Sequence, residues 1–338
     1  MGAADGVVRV VHAAGLPDLS GVPALLHRRH RHGCAEVSEV ALAVDIGGTK
    51  ILVGLVDAAG TIVMSRQVAT PAREGAEAII AAVATLAKEV LLGAPSAVSR
   101  CGVGTAGVVG EQGEITSATD HLSGWAGTRL QQRLNEELGL PVTVLNDVQA
   151  SGLCEGVLGA ARGKRSALIV ALGTGVGGSL VRNGRVERGA YGIAGSVGHH
   201  LSPLRQGRPC PCGGTDHLEA YASGTAMEIE YARRTGKERS LREIAALAEA
   251  NDAEAQSVIA EAADVLGAVL GSANNVVDAE IVVVAGGVLA LGDRLLQPAR
   301  VAAKREALGL SKAVEIVPAK FGPTACLIGA ALAAFGAV

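Results

Sequence analysis

Val40-Ala41-Leu42-Ala43-Val44-Asp45 is followed by Ile46-Gly47-Gly48-Thr49-Lys50 and then by Ile51-Leu52-Val53-Gly54-Leu55-Val56. The first run reads as a buried strand, Gly47-Gly48-Thr49 as a tight turn, and the second run as another strand, with Asp57-Ala58-Ala59-Gly60 closing a hairpin. The same order recurs downstream. Ala167 to Leu172 is a strand, Gly173-Thr174-Gly175-Val176-Gly177-Gly178 a glycine-rich turn, Ser179-Leu180-Val181 a strand, and Arg182-Asn183-Gly184-Arg185 a turn. A duplicated α/β unit follows, with two glycine turns expected to face each other across a cleft.

Composition agrees with that reading. A chain of 338 residues exceeds what one core usually serves. Apolar residues make up 49% and aromatics only 2%, so the core must be close-packed from Val, Leu, Ile and Ala, as buried strands in α/β layers are. A net charge of −3 gives no reason to expect nucleic acid or an anionic membrane as partner. No stretch resembles a transmembrane helix or a signal peptide. The six Cys show no disulfide framework, and reduced thiols in a cytoplasmic protein are the simpler reading.

Residues 1–38 carry an Arg/His cluster without a clear period and read as a disordered extension. Residues 74–94 and Thr128 to Leu138 read as helices. Pro141 to Leu145 is a strand that delivers Asn146-Asp147 at its C-terminal end, where ligands sit in open α/β sheets. Residues 239–272 read as mostly helical, Glu280 to Ala285 as a strand entering Gly286-Gly287, and Cys326 to Phe335 as an apolar helix packing back on the first lobe. The lobes expected are 39–147 plus 320–338, and 148–319.

Both glycine turns can present backbone N–H groups to phosphate oxygens. Asp45 adds a carboxylate able to hold hydrated Mg²⁺, and Thr49 and Thr174 add hydroxyls. Neither turn is a P-loop, and strands rather than helices follow them, which argues against a dinucleotide fingerprint. Either turn alone reads as a structural hairpin; the matched pair with an Asp reads as phosphate-binding. Asn146-Asp147 in isolation reads as a turn or helix cap. His199, Cys210-x-Cys212 and His217 have the residue types and tight spacing of a tetrahedral structural zinc, although a CxC pair by itself can be two free thiols.

Asp45-Ile46-Gly47-Gly48-Thr49-Lys50, Asn146-Asp147, Gly173-Thr174-Gly175-Val176-Gly177-Gly178 and Cys210-Pro211-Cys212-Gly213, in that order, resemble the ROK family of repressors, open-reading-frame proteins and sugar kinases. The resemblance spans about residues 40–335. It implies an α/β, two-lobed actin-like ATPase (ribonuclease H-like) fold, and transfer of the γ-phosphate of ATP to the primary hydroxyl of a hexose-like sugar. It assigns Asp147 as catalytic base and Asn146, His199 and Glu219 as sugar contacts. Asp45, Gly47, Gly48, Thr49, Lys50, Gly173, Thr174 and Gly175 fall to the nucleotide and Mg²⁺, and Gly286 and Gly287 to the adenosine side. The family's zinc set has a Cys where His217 stands, giving Cys₂His₂ here, with the metal pinning the loop that carries His199 and Glu219. A homodimer or homotetramer is also implied.

Three departures bear on the substrate. The family's usual E-x-G-H is Ser196-Val197-Gly198-His199, which removes a carboxylate that binds hydroxyls on the C2/C3 side of a glucose-type ring. Thr105-Ala106-Gly107 lacks the Pro that often precedes that Gly. His121-Leu122-Ser123-Gly124-Trp125 carries His121 where the family has Asn, on a loop that approaches the sugar; His121 reads equally as a packing residue. A substrate altered at C2 or C3 is expected: N-acetylmannosamine, kanosamine, a related amino sugar or a cyclitol. Plain glucose, with water in place of the carboxylate, is the alternative. A sugar-responsive transcriptional regulator is a remote reading, since only 44 residues precede Asp45 and show no winged-helix pattern. A catalytically dead sugar binder conflicts with Asp45, Asp147 and both turns. Polyphosphate as donor stays open.

Overall fold

The computed structural model describes residues 39–119 and 121–338. The Arg/His-rich extension expected at 1–38 lies outside the described residues. The chain divides into two compact units, one ending at Leu158 and resuming at Thr324, the other running from Gly159 to Pro323.

In the first unit, β1 (Val40–Ile46), β2 (Lys50–Asp57), β3 (Ile62–Ala69), β4 (Cys101–Thr105) and β7 (Val142–Asn146) form a sheet of order β3-β2-β1-β4-β7. The first three strands are antiparallel neighbours, and β1, β4 and β7 run parallel. Between β4 and β7 the chain makes a small ribbon, β5 (Val108–Val109) and β6 (Ile115–Ser117). Two helices, α1 (Ala76–Leu92) and α2 (Leu130–Leu138), bury Ile79, Ile80, Val83, Leu130 and Leu134 with the strand residues Leu42, Val44, Val53 and Val103. β1 is apolar except for Asp45 near its C-terminal end because both faces are covered, as central strands of such sheets are. Helix α3 (Asp147–Val157) follows β7 without a break.

The second unit repeats the plan. β8 (Ser166–Leu172), β9 (Val176–Arg182), β10 (Arg185–Glu187), β11 (Ile281–Ala285) and β12 (Glu315–Pro318) form a sheet of order β10-β9-β8-β11-β12, with β8, β9 and β10 antiparallel neighbours and β8, β11 and β12 parallel. Strand β9 starts at Val176, earlier than the predicted Ser179, because Gly177 and Gly178 continue the ladder opposite Ala171 and Val170. Helices α4 (Glu219–Ala222), α5 (Gly224–Thr235), α6 (Leu241–Glu249), α7 (Ala253–Val277) and α8 (Asp293–Glu306) cover it. The mostly helical stretch read over 239–272 is α6 and the greater part of α7. Asn251 takes a φ of 64°, and the Asp252 side chain caps α7 by accepting from the Ala255 N–H at 2.8 Å.

The last helix, α9 (Ala325–Ala334), is apolar on every side and packs in the first unit against α3, β4 and β1. Helix α3 belongs with it. The division therefore falls after Leu158 and before Thr324, whereas the sequence reading placed it after Asp147 and before residue 320.

Candidate active site

In the first unit, Asp45 pairs in register with Gly104 on β4, and Thr105 with Asn146 on β7. The C-terminal ends of three parallel strands thus bring Asp45, Gly107 and Asn146-Asp147 to one edge of the sheet. Asn146 is the N-cap of α3. Its side-chain oxygen accepts from the N–H groups of Val148 (3.0 Å) and Gln149 (3.2 Å), and Gln149 returns a bond to the Asn146 N–H, completing a capping box. Its amide nitrogen donates to the Gly107 carbonyl at 3.0 Å and to Asp147 Oδ1 at 2.8 Å. Both amide hydrogens are thereby engaged, and the cap that the pair suggests in isolation is present, with the Asn146 amide holding the Asp147 carboxylate.

Asp147 Oδ1 also accepts from its neighbour's N–H, that of Val148, at 2.9 Å. Burial pushes its carboxyl up to about 6, helped by the charge of Asp45 and opposed by these hydrogen bonds. Asp45 is raised too, again by burial, against a hydrogen bond from Cys326 and the charge of Lys50. Two desolvated carboxylates that share one sheet edge are the pattern of a site that moves protons or holds a cation.

Gly47, Gly48, Thr49 and Lys50 form the first turn. The Gly47 N–H is spent on the Lys50 carbonyl (3.0 Å), and Thr70 Oγ1 donates to the Gly47 carbonyl (2.7 Å). Among the described residues the N–H groups of Gly48 and Thr49 and the Thr49 hydroxyl have no partner. His121 is exposed, and its loop is anchored by Trp125, whose indole donates to Thr105 Oγ1 and to the Ala106 carbonyl, each at 3.2 Å.

The second unit holds the other half of the residue set. In the turn between β8 and β9, Gly173 donates to the Gly175 carbonyl at 2.9 Å, and the N–H groups of Thr174 and Gly175 have no partner among the described residues. Gly286 and Gly287 follow β11. Glu219 opens α4, and its Oε2 accepts from the Val176 N–H at 2.7 Å. Its other oxygen lies 3.8 Å from Cys210 Sγ. Glu219 therefore ties the glycine turn to the Cys/His loop. Ser196 and His199 are exposed on a segment held tightly against β9, because a Cβ on Gly198 would collide with the Val176 carbonyl.

The donor atoms of His199, Cys210, Cys212 and His217 lie within 4.8 Å of one another. Cys210 Sγ is 3.7 Å from His199 Nδ1, and Cys212 Sγ is 3.2 Å from His217 Nδ1. Bonds of about 2.0–2.3 Å to tetrahedral zinc give donor separations of about 3.3–3.8 Å, so the set fits that ion with little adjustment. His200 points elsewhere: it is exposed, with Nδ1 3.1 Å from the Leu201 carbonyl.

Sequence reasoning missed the staple of this loop. Asp216, buried at a φ of 56°, accepts from the N–H groups of Gln206 (3.2 Å), Gly207 (3.1 Å) and Arg208 (2.9 Å) and from Tyr221 Oη (2.6 Å). Arg208 stacks over the Tyr221 ring and pairs with Glu261 at 2.7 Å and Glu230 at 3.2 Å. One aspartate between two zinc-type residues carries no local signal of such a role.

The profile of the ROK family matches residues 41–336. The chain belongs to the ROK family. It is 34% identical over 275 residues to a glucokinase of Halalkalibacterium halodurans, covering 76% of this chain and 83% of that one. It is 32% identical over 301 residues to an N-acetylmannosamine kinase of Escherichia coli O157:H7, covering 87% and 98%. Among solved structures, a ROK family glucokinase from Streptomyces griseus in complex with glucose and AMPPNP superposes with a TM-score of 0.75 at 30% identity, over 87% of this chain and 99% of that one. The repeated sheet order is that of the actin-like ATPase fold, as the motifs implied.

Proposed function

We propose that this sugar kinase of the ROK family phosphorylates the primary hydroxyl of a hexose-like substrate altered at C2 or C3, with Asp147 as base. The supporting observation is the carboxylate of Asp147: it stands at the C-terminal end of β7, is hydrogen-bonded by the Asn146 helix cap, and is raised to about 6 by burial and Asp45. A base with that pKa is ionised at neutral pH yet basic enough to accept the sugar's proton as the oxygen attacks the γ-phosphorus. ADP leaves, and the proton stays on Asp147. Such help is worth roughly 10²–10⁴ in rate.

The remaining stabilisation is electrostatic. The unpartnered N–H groups of Gly48, Thr49, Thr174 and Gly175 are suited to phosphate oxygens. Asp45, with its raised carboxyl, would hold hydrated Mg²⁺, which neutralises charge on the phosphates when bound. His199, Cys210, Cys212 and His217 would hold a structural zinc, which orders the loop bearing Glu219 and activates no water. Gly286 and Gly287 would border the adenosine.

Ser196 supports the altered-sugar reading, because a neutral, short side chain leaves a C2 or C3 hydroxyl without its carboxylate acceptor and leaves room for a larger group. N-acetylmannosamine, kanosamine and cyclitols fit that description. Plain glucose is the second reading, favoured by the similarity to glucokinases. A coupled ADP-release assay over these sugars decides. Higher kcat/KM for a C2- or C3-modified sugar supports the first reading, and a clear preference for glucose overturns it.

A further inference from the structure

Arg208 lies at the base of the Cys/His hairpin. Its N–H donates to Asp216 Oδ1 at 2.9 Å, its carbonyl accepts from the Asp216 N–H at 2.8 Å, and Pro209 bridges to Thr215 one step further along. The side chain leaves the hairpin. Its guanidinium stacks 4.3 Å over the Tyr221 ring on α4, donates to Glu261 on α7 at 2.7 Å and lies 3.2 Å from Glu230 on α5. Arg234 of α5 closes the circuit, pairing with Glu230 and, at 2.7 Å, with Glu261. Two guanidiniums and two carboxylates thus alternate around a ring, each side chain less than a quarter exposed. Removing one cation would leave two partly buried carboxylates to share the other.

Two parts of the candidate site are tied to this ring. Tyr221 is on α4, which Glu219 opens, and Glu219 Oε2 accepts from the Val176 N–H at 2.7 Å. Glu230 is on α5, whose first residue, Gly224, donates to the Gly173 carbonyl at 2.8 Å in the second glycine turn. We propose that Arg208 is a positioning residue: its guanidinium, held between Tyr221, Glu230 and Glu261, fixes α4 and with it the Glu219 carboxylate against the second glycine turn. The inference rests on the reading of Glu219 as a sugar contact, yet the anchor can be tested without turnover.

The test follows the Val176 amide by hydrogen exchange in full-length wild type, R208A, R208K and R233A, with the amides of Ile169 and Val283 on the central strands β8 and β11 as reference. R208A is expected to speed exchange at Val176 about tenfold while the reference amides keep their rates, and to raise the KM for glucose and for N-acetylmannosamine about tenfold. Added to E219A it should raise them no further, because it acts through that carboxylate. R208K keeps the charge but not the planar fork that spans two carboxylates and the ring, and should fall between wild type and R208A. R233A removes a cation that meets Glu230 from solvent, 67% exposed, and should behave as wild type. A Val176 amide unmoved in R208A overturns the proposal. So does a speed-up shared by Ile169 and Val283 or reproduced by R233A, and so does a full further rise in KM on top of E219A, since each leaves the ring a contributor to stability alone. Should R208A not fold, the same comparisons are read in R208K. A faster Val176 amide in protein that phosphorylates no sugar of the panel upholds the anchor and removes the functional reading instead.

Discussion

Asp45 and Asp147 stand at one edge of the same sheet, on either side of β4, and the charge of Asp45 raises the carboxyl of Asp147. Burial is the larger cause, but the Asp45 contribution is the one a substitution can isolate. The rate of phosphoryl transfer should rise with pH through a midpoint of about 6, the value at which Asp147 ionises. In D45N the midpoint should move to lower pH, because the like charge is gone, even as the maximum rate falls. A pH profile of kcat/KM for each protein checks this, and an unmoved midpoint in D45N would separate the two residues.

The same shift has a stability consequence with a definite sign. The folded pKa of Asp147 lies above its unfolded value of about 4, so the folded state binds more protons in the window from about 4 to about 6. Its contribution favours folding below that window and is lost as pH rises through about 6. D147N should therefore melt higher than wild type at pH 8, while at pH 4 the difference should shrink. Calorimetric melts at the two pH values measure it.

Glu219 accepts from Val176 at the second glycine turn while lying beside Cys210. E219Q keeps an oxygen acceptor for that N–H and should mainly weaken the sugar. E219A frees the turn and should raise the KM of both sugar and MgATP, by about tenfold each. Steady-state constants for both substrates in both variants distinguish a purely sugar-facing role, in which the MgATP KM stays constant.

The Cys₂His₂ set should carry about one zinc per chain, read by elemental analysis of protein purified without chelator. H217C, which supplies a thiolate in place of the imidazole, should retain the metal. C210S should lose it, with a lower melting temperature. D216N should weaken metal retention although Asp216 is no ligand, because it fixes the backbone of Gln206 to Arg208. Zinc content unaffected by C210S would remove the metal reading.

Much of this was legible in the sequence, for reasons that are local. A strand, a glycine turn and a strand are fixed by neighbours along the chain, so β1, β2, β8 and most of β9 follow from pattern alone. Asp147 was placed because Pro141 to Leu145 reads as a strand that must end there. Residues whose roles depend on distant partners were hidden. Asp216 acquires meaning only through Tyr221 and three N–H groups of its own loop. The capping of α3 by Asn146 lay between these cases: the residue pair reads as a cap in isolation, and the structure shows that cap together with a hydrogen bond from the Asn146 amide to Asp147.

Ser196 gives the specificity reading its own test. S196E restores a carboxylate acceptor and should raise kcat/KM for glucose relative to N-acetylmannosamine by about tenfold, the scale of one hydrogen bond to a charged group. An unchanged ratio would detach substrate choice from this position.

The account turns on Asp147 as the proton acceptor. The decisive measurement is the single-turnover rate of D147N with saturating MgATP and the best sugar of the panel, on protein shown by circular dichroism and melting to be folded. A loss of about 10²–10⁴ with both substrates still bound is the expected result. A rate within a few fold of wild type would contradict it.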